Sequence, residues 1–308
     1  MSRHVLVSYA VDSQPRVGVL VNDRVADLAH HTGVPTDHAL YELLLDWEAG
    51  RVRVSKVAEH AEAGEIDTIP LARVRLLAPL ATPATLYCAG ANYRDHVLEM
   101  AKVAGIEPDP DPRTLGLGSW HFIKSARSVI GPRELIEVPR GAQKLDWEVE
   151  LAAVIGRKAK RVSAANALDY LAGYTIAVDL SARDFSRRNG ISVQSPFRFD
   201  WVAHKSFDTG CPLGPWIVPA GFIVDPQRLA ISLSINGELK QQSNTSEMIY
   251  SVAEQISDLS RNLTLWPGDV ILTGTPAGVG SAGGRFLQSG DTIVASIESI
   301  GELETVVA

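Results

Sequence analysis

Seven consecutive residues, Leu145-Asp146-Trp147-Glu148-Val149-Glu150-Leu151, alternate strictly between apolar and acidic side chains. In an extended strand, residues two apart share a face. Leu145, Trp147, Val149 and Leu151 therefore point into one layer, and Asp146, Glu148 and Glu150 into another. Acidic side chains are poor strand formers. Three of them about 7 Å apart on one face repel one another unless water or a cation offsets the charge. The chain then continues Leu151-Ala152-Ala153-Val154-Ile155-Gly156 without a polar residue, which carries the strand deep into a fold. On this segment alone two readings stand side by side. The acids are either the solvated face of an amphipathic strand or oxygen ligands for a hard cation such as Mg²⁺ or Mn²⁺.

A second acid shifts the balance toward a ligand site. Leu171 to Val178 is an apolar run ending at Asp179, followed by Leu180-Ser181-Ala182-Arg183-Asp184. A carboxylate where a buried strand gives way to a turn is a common position for a ligand. Carboxylates drawn from two strands fill half an octahedron and leave room for water or substrate. Arg183 falls beside them, either to hold a substrate carboxylate bidentately or to form a structural ion pair with Asp184. In Asn92-Tyr93-Arg94-Asp95-His96-Val97-Leu98-Glu99 the spacing predicts a short helix with His96 and Glu99 on one face. A carboxylate beside an imidazole fixes its tautomer and raises its basicity, the arrangement of a general-base dyad; such pairs also occur on ordinary surfaces. Lys205, inside Trp201 to Asp208, is either a buried electrostatic catalyst or a snorkelling surface lysine. The run Gly268 to Gly280 reads as a strand breaking into a Gly- and Thr-rich loop. Its backbone N–H groups and the Thr275 hydroxyl are suited to an oxyanion or carboxylate. Gly278, Gly280 and Gly283 match G-x-G-x-x-G, but Gly284, Gly290 and Asp291 follow at once and leave no crossover helix, so a dinucleotide site is excluded.

The remaining pattern is α+β and rich in short strands. Residues 4–8, 16–20 and 24–28 read as strands joined at Asp12–Gln14 and Asn22–Asp23. Helical stretches follow over about Asp37–Ala49, with Leu40, Leu43, Leu44 and Leu45 as its apolar face, and over Val54–Ala63. Residues 1–75 are expected to form a small N-terminal β-rich domain, and 76–308 the catalytic domain. In the latter, strands recur between turns at Pro267-Gly268-Asp269, Ser289-Gly290-Asp291 and Ile300-Gly301-Glu302, the pattern of a rolled sheet. Its clearest helix is expected over Thr245–Ser260, capped by Ser246. Pro108, Pro110 and Pro112 keep the segment 105–120 out of regular helix, as a lid or a surface insertion. A net charge of −7 argues against a nucleic-acid surface. No apolar run reaches membrane-spanning length, and the start alternates like a strand, so a cytoplasmic location is expected. Cys88 and Cys211 form no C-x-x-C motif and read as buried small residues.

Taken in order, these pieces resemble the fumarylacetoacetate hydrolase superfamily. The match runs through Asn92-Tyr93 with His96 and Glu99, Glu148-x-Glu150, Asp179 to Asp184, Lys205-x-Phe207-Asp208 with Cys211-Pro212, Asn236-Gly237 with Gln241 and Asn244-Thr245, and Thr273-Gly274-Thr275-Pro276 with Gly278-Val279-Gly280. The resemblance implies a mixed β-roll catalytic domain, usually dimeric. It implies Mg²⁺ or Mn²⁺ held by Glu148, Glu150 and Asp179, with His96 and Glu99 activating water. It also implies substrate contacts from Lys205, Arg183, Thr275, Tyr93 and Gly274. One departure stands out: where several relatives place a Gln that reaches the substrate, three positions after the Arg, this chain has Ser186. The implied substrate is a small 2-oxo or β-dicarbonyl acid. The implied reaction is hydrolytic C–C cleavage of an acylpyruvate such as maleylpyruvate or fumarylpyruvate, in the degradation of aromatic compounds. Decarboxylation and keto–enol isomerisation are the alternatives on the same site.

Overall fold

The computed structural model describes residues 3–308. The acidic-apolar strand lies in the middle of a twelve-stranded mixed sheet. Across that sheet run Ile69–Pro70, Arg24–Asp27, Gln14–Val21, Val5–Val11, Cys211–Pro219, Leu171–Val178, Val149–Ile155, Val270–Leu272, Leu86–Ala89 and His121–Lys124. Val149–Ile155 is buried along its whole length. Its alternation divides two cores: Val149, Leu151, Ala153 and Ile155 enter one, Ala152 and Val154 the other. A second sheet of five strands covers the first core, with Glu238–Asn244, Ala230–Ile235, Thr292–Ile297 and Gly301–Val307 antiparallel in that order. The architecture is the strand-rich α+β roll expected from the sequence.

The N-terminal strands and their two turns lie where the pattern put them, with positive φ at Asp12, Ser13, Asn22 and Asp23, the geometry of tight hairpin turns. Leu6 pairs with Ile217, so these strands extend the catalytic sheet. Helix Trp47–Glu62 packs Val54, Val57 and Ala58 into the second core. It begins seven residues before the expected Val54. The stretch expected as one helix over 37–49 is instead a 3₁₀ turn, Pro35–His38, and a short helix, Leu40–Leu45. Leu45 is exposed rather than part of the apolar face.

The helix expected over Thr245–Ser260 starts later, as Val252–Asn262. Ser251 caps it in place of Ser246, because Glu254 sits three residues on and completes a capping box: Ser251 Oγ accepts from Glu254 N at 3.2 Å, and Ser251 N donates to Glu254 Oε2 at 2.7 Å. Ser251→Ala should therefore cost about 1 kcal/mol in urea unfolding. The same change at Ser246 should stay within about 0.5 kcal/mol.

The Pro-rich segment is tied down on this helix. Arg113 Nη2 reaches both Glu254 carboxylate oxygens, at 2.9 and 2.7 Å, and Tyr250 Oη donates to Leu117 O at 2.6 Å.

Candidate metal centre and active site

Strand pairing brings the acids together. Val149 pairs with Val178, which sets Glu148 opposite Asp179; Asp179 N donates to Glu148 O at 2.9 Å. Glu148, Glu150 and Asp179 are all buried and offer carboxylate oxygens within 4.8 Å of one another. The solvated-face reading of the acidic strand does not hold. Asp146 is buried too, but it turns to a different task. The strand breaks at Trp147-Glu148, and Asp146 accepts from Trp147 N at 2.8 Å, Gly280 N at 2.5 Å, Ser281 N at 3.0 Å and Arg183 Nε at 2.8 Å.

Three buried or half-buried cations surround the acids. Lys205 Nζ lies 2.8 Å from Glu148 Oε2 and 2.6 Å from Asp179 Oδ2. Lys124 Nζ donates to Asp179 Oδ1 at 2.5 Å and to Leu180 O at 3.0 Å. Arg183 spans Asp146 and, through Nη2, Glu148 Oε1 at 2.5 Å. Lys205 is thus a buried cation and not a snorkelling one. Arg183 pairs with Asp146 and Glu148, while Asp184 accepts from Gln143 N. Burial would lower the Lys205 ammonium, but Asp179 and Glu148 outweigh it and hold it above its ordinary value. Burial likewise pushes Glu148 up, yet Lys205 and Arg183 keep its carboxyl well below the usual range. Glu150 behaves in the opposite way. Burial, then Asp179 and Glu148, push it well up. Among the described residues it pairs with no cation, and its hydrogen bond comes from Gly274 N at 2.6 Å. Four buried carboxylates face three cations, and the unmatched charge is on the acid that completes the triad. An all-carboxylate, convergent, buried donor set with one uncompensated negative charge fits a hard divalent cation.

The Gly-rich loop spends its donors on the chain's own carboxylates. Gly274 N binds Glu150, Gly278 N binds Glu99 Oε2 at 2.9 Å, and Gly280 N and Ser281 N bind Asp146. The Gly274 N–H is thus taken up by a member of the triad. Gly274 has φ +100°, and a Cβ there would come within 2.8 Å of Asn92 Cβ, so no other residue fits. Thr275 Oγ1 donates to Val149 O at 2.9 Å and accepts from Gln241 Nε2 at 2.9 Å. Its one proton fixes the loop to the acidic strand. The helix that follows, Gly280–Gly283, is only one turn long, in line with the absence of a dinucleotide crossover.

His96 and Glu99 lie on helix Arg94–Ala104, with His96 Nδ1 3.8 Å from Glu99 Oε2. Nδ1 is buried and has no hydrogen-bond partner among the described residues. Burial pushes Glu99 up, but His96 and the Gly278 N–H outweigh it and lower its carboxyl. Tyr93 precedes the helix. Its hydroxyl is buried without a partner among the described residues, and burial, then Glu150 and Asp95, raise its phenol well above the ordinary value. It stays protonated and able to donate.

Sequence reading missed four contributions: Lys124, the anchoring role of Asp146, the bracing role of Gln241 (whose Oε1 accepts from Val149 N at 3.0 Å) and His204. Lys124 carried a faint signal, as a charge closing the short run His121-Phe122-Ile123. His204 is 6% exposed. Burial, then Lys205 and Arg183, push its imidazole down from 6.5 to about 3. The unfolded chain therefore binds the extra proton first. Stability is complete above about pH 6.5 and falls as pH drops through that value toward 3. Native protein should lose about 1 kcal/mol more than His204→Asn between pH 8 and pH 5.5, read by urea unfolding at each pH.

The fumarylacetoacetate (FAA) hydrolase C-terminal family matches residues 85–308. The mitochondrial oxaloacetate tautomerase Fahd2a of Rattus norvegicus is 39% identical over 268 residues, 86% of this chain and 79% of its own. Among solved structures, 2-hydroxyhepta-2,4-diene-1,7-dioate isomerase from Mycobacterium marinum aligns with a TM-score of 0.72 at 32% identity, over 100% of this chain and 98% of its own. Maleylpyruvate hydrolase from Sphingobium sp. SYK-6, in complex with manganese(II) and pyruvate, aligns with a TM-score of 0.74 at 28% identity, over 99% and 98%. By the family match over its C-terminal three quarters and by these relatives, the chain belongs to the fumarylacetoacetate hydrolase family.

Proposed function

We propose that this protein is a divalent-metal-dependent enzyme that interconverts the keto and enol forms of a β-dicarbonyl 2-oxo acid, a class that includes oxaloacetate. Glu148, Glu150 and Asp179 hold Mg²⁺ or Mn²⁺ in this reading. When bound, that cation supplies Lewis acidity at the 2-oxo acid head. The observation that carries the proposal is the buried Lys205 ammonium, fixed between Glu148 and Asp179. Charged and immobile, it stabilises negative charge that develops on an enol oxygen and is unfit to act as the base. Proton transfer falls to His96, whose Nδ1 makes no hydrogen bond among the described residues and whose ring is positioned by Glu99, 3.8 Å from that atom. Tyr93, with its proton retained, is the donor available to a substrate oxygen. Arg183, tied to Asp146 and Glu148, sets the orientation of the triad. The oxaloacetate tautomerase relative and the dienedioate isomerase structure support this reaction class.

A second reading is hydrolysis of an acylpyruvate, favoured by the His96–Glu99 pair and by the maleylpyruvate hydrolase neighbour. It needs His96 to activate water instead of exchanging a substrate proton. One experiment separates the two. Mn²⁺-loaded protein is given oxaloacetate, acetylpyruvate, maleylpyruvate and fumarylpyruvate, and enol absorbance, pyruvate and CO₂ are followed together. The proposal expects enol–keto conversion without stoichiometric pyruvate. Pyruvate with an acid co-product and no CO₂ would move the assignment to hydrolase, and pyruvate with CO₂ from oxaloacetate to decarboxylase.

A further inference from the structure

The chain contains two Asn-Gly pairs, Asn189-Gly190 and Asn236-Gly237, and the fold holds them differently. Both lie at the surface. In such a pair the side-chain amide is open to attack by the next backbone nitrogen, because glycine has no Cβ to shield it. Attack needs a free side chain and a backbone able to bring the two atoms together.

Asn236-Gly237 meets neither condition. It is the two-residue turn between strands Ala230–Ile235 and Glu238–Asn244, where Ile235 pairs with Glu238. Its φ values of 52° and 79° are those of a type I′ turn. Asn236 Nδ2 donates to Asp291 Oδ1 at 2.7 Å, and its Oδ1 accepts from Thr292 N at 2.9 Å. Asn236 N donates to Thr292 O at 2.9 Å. Side chain and backbone are both fixed against the start of strand Thr292–Ile297.

Asn189-Gly190 meets both. Arg187 bridges to Phe199, and Arg188 N donates to Arg198 O at 2.8 Å; Asn189 and Gly190 begin the loop that these contacts close. Among the described residues, neither the Asn189 side chain nor the Gly190 N–H makes a hydrogen bond. Nothing lies within 4 Å of the place a Gly190 Cβ would take, so this nitrogen is unhindered. Arg187 and Arg188 put positive charge beside it, which favours its deprotonated, attacking form.

We propose that Asn189 is a site of spontaneous modification, converted in the native protein to aspartate and isoaspartate, and that the fold protects Asn236 from the same reaction. Gly190 N gives its proton to hydroxide and bonds to Asn189 Cγ. The Cγ–Nδ2 bond breaks, the leaving nitrogen takes a proton from water, and ammonia departs from a cyclic imide. Water then opens the imide at either carbonyl, which gives aspartate or isoaspartate. One water enters, one ammonia leaves, and nothing is oxidised or reduced. The new carboxylate stands next in the chain to Arg188, whose Nη2 is 2.5 Å from Asp200. Asp200 Oδ1 in turn accepts from Ala203 N at 3.0 Å and caps the helix that carries Lys205.

The test is peptide mapping by mass spectrometry after prolonged incubation in mildly alkaline buffer, with native protein beside protein unfolded in guanidinium chloride. In the native protein the Asn189 peptide should gain one mass unit and split into two isomers. The Asn236 peptide should convert at least about tenfold more slowly, since its side-chain hydrogen bonds must break first. Unfolding should remove most of that difference. A methyltransferase specific for isoaspartate, supplied with labelled S-adenosylmethionine, should label the aged native protein but not Asn189→Gln treated alike. Equal conversion of the two sites in the native protein, or conversion of Asn189 only after unfolding, overturns the proposal. So does labelling that is undiminished in Asn189→Gln.

Discussion

Glu150→Gln should abolish metal-dependent turnover and, in the same protein, stabilise the metal-free state. The two effects have one cause. Glu150 is a buried carboxylate that pairs with no cation among the described residues, pressed by Asp179 and Glu148. With a divalent cation present, its charge is a ligand; without one, it is a repulsion. Gln keeps an oxygen for the Gly274 N–H but carries no charge. Mn²⁺ affinity should fall by about 100-fold or more, at least the loss seen when outer partners of a metal ligand are removed. Turnover should fall by about 10³-fold, on the order of 4 kcal/mol of transition-state stabilisation. For the metal-free protein the sign follows from the raised Glu150 carboxyl. Relative to the unfolded chain the fold disfavours its ionised form, so native stability is lost as pH rises above the ordinary carboxylate range. The advantage of Glu150→Gln should grow over that interval. Thermal unfolding in chelator at several pH values measures it, and calorimetry measures the metal.

His96→Ala should behave in the complementary way. Among the described residues the imidazole Nδ1 makes no hydrogen bond, to the triad or to any other group. Loss of a positioned acid–base group costs about 10²–10⁴-fold in kcat, while Mn²⁺ affinity should stay within about twofold. Glu99→Gln, 3.8 Å from His96 Nδ1, should cost less than His96→Ala. If Mn²⁺ binding collapses in His96→Ala, its assigned part in proton transfer is wrong and it belongs to the metal site.

The acidic strand was legible because two local rules conflicted in it. Alternation demanded a strand, and acids at every second position opposed one; only a use for the charge reconciles them. The same logic found Asp179 at the end of an apolar run and the His96–Glu99 face of a short helix. What stayed hidden lies in pairings far apart in the chain. Lys124 meets Asp179 across 55 positions and Gly280 meets Asp146 across 134, and no local pattern encodes either. The Gly-rich loop was read as a binding surface from its donors, but donors reveal nothing of which acceptor is nearest. Here the carboxylates of Glu150, Asp95, Glu99 and Asp146 take those donors. The start of helix Val252–Asn262 was misplaced because two serines were available as caps; Glu254 decides for Ser251 by completing the reciprocal pair.

The central claim, enol chemistry at a carboxylate-held cation, is tested most directly with enol-oxaloacetate. Decay of its ultraviolet absorbance would be followed with native protein plus Mn²⁺, the same protein in chelator, and Glu150→Gln plus Mn²⁺, each against a buffer and Mn²⁺ control. The account predicts rapid decay with the first alone and background rates with the other two. Decay at the Mn²⁺ control rate with native protein, or undiminished acceleration in chelator, would contradict it.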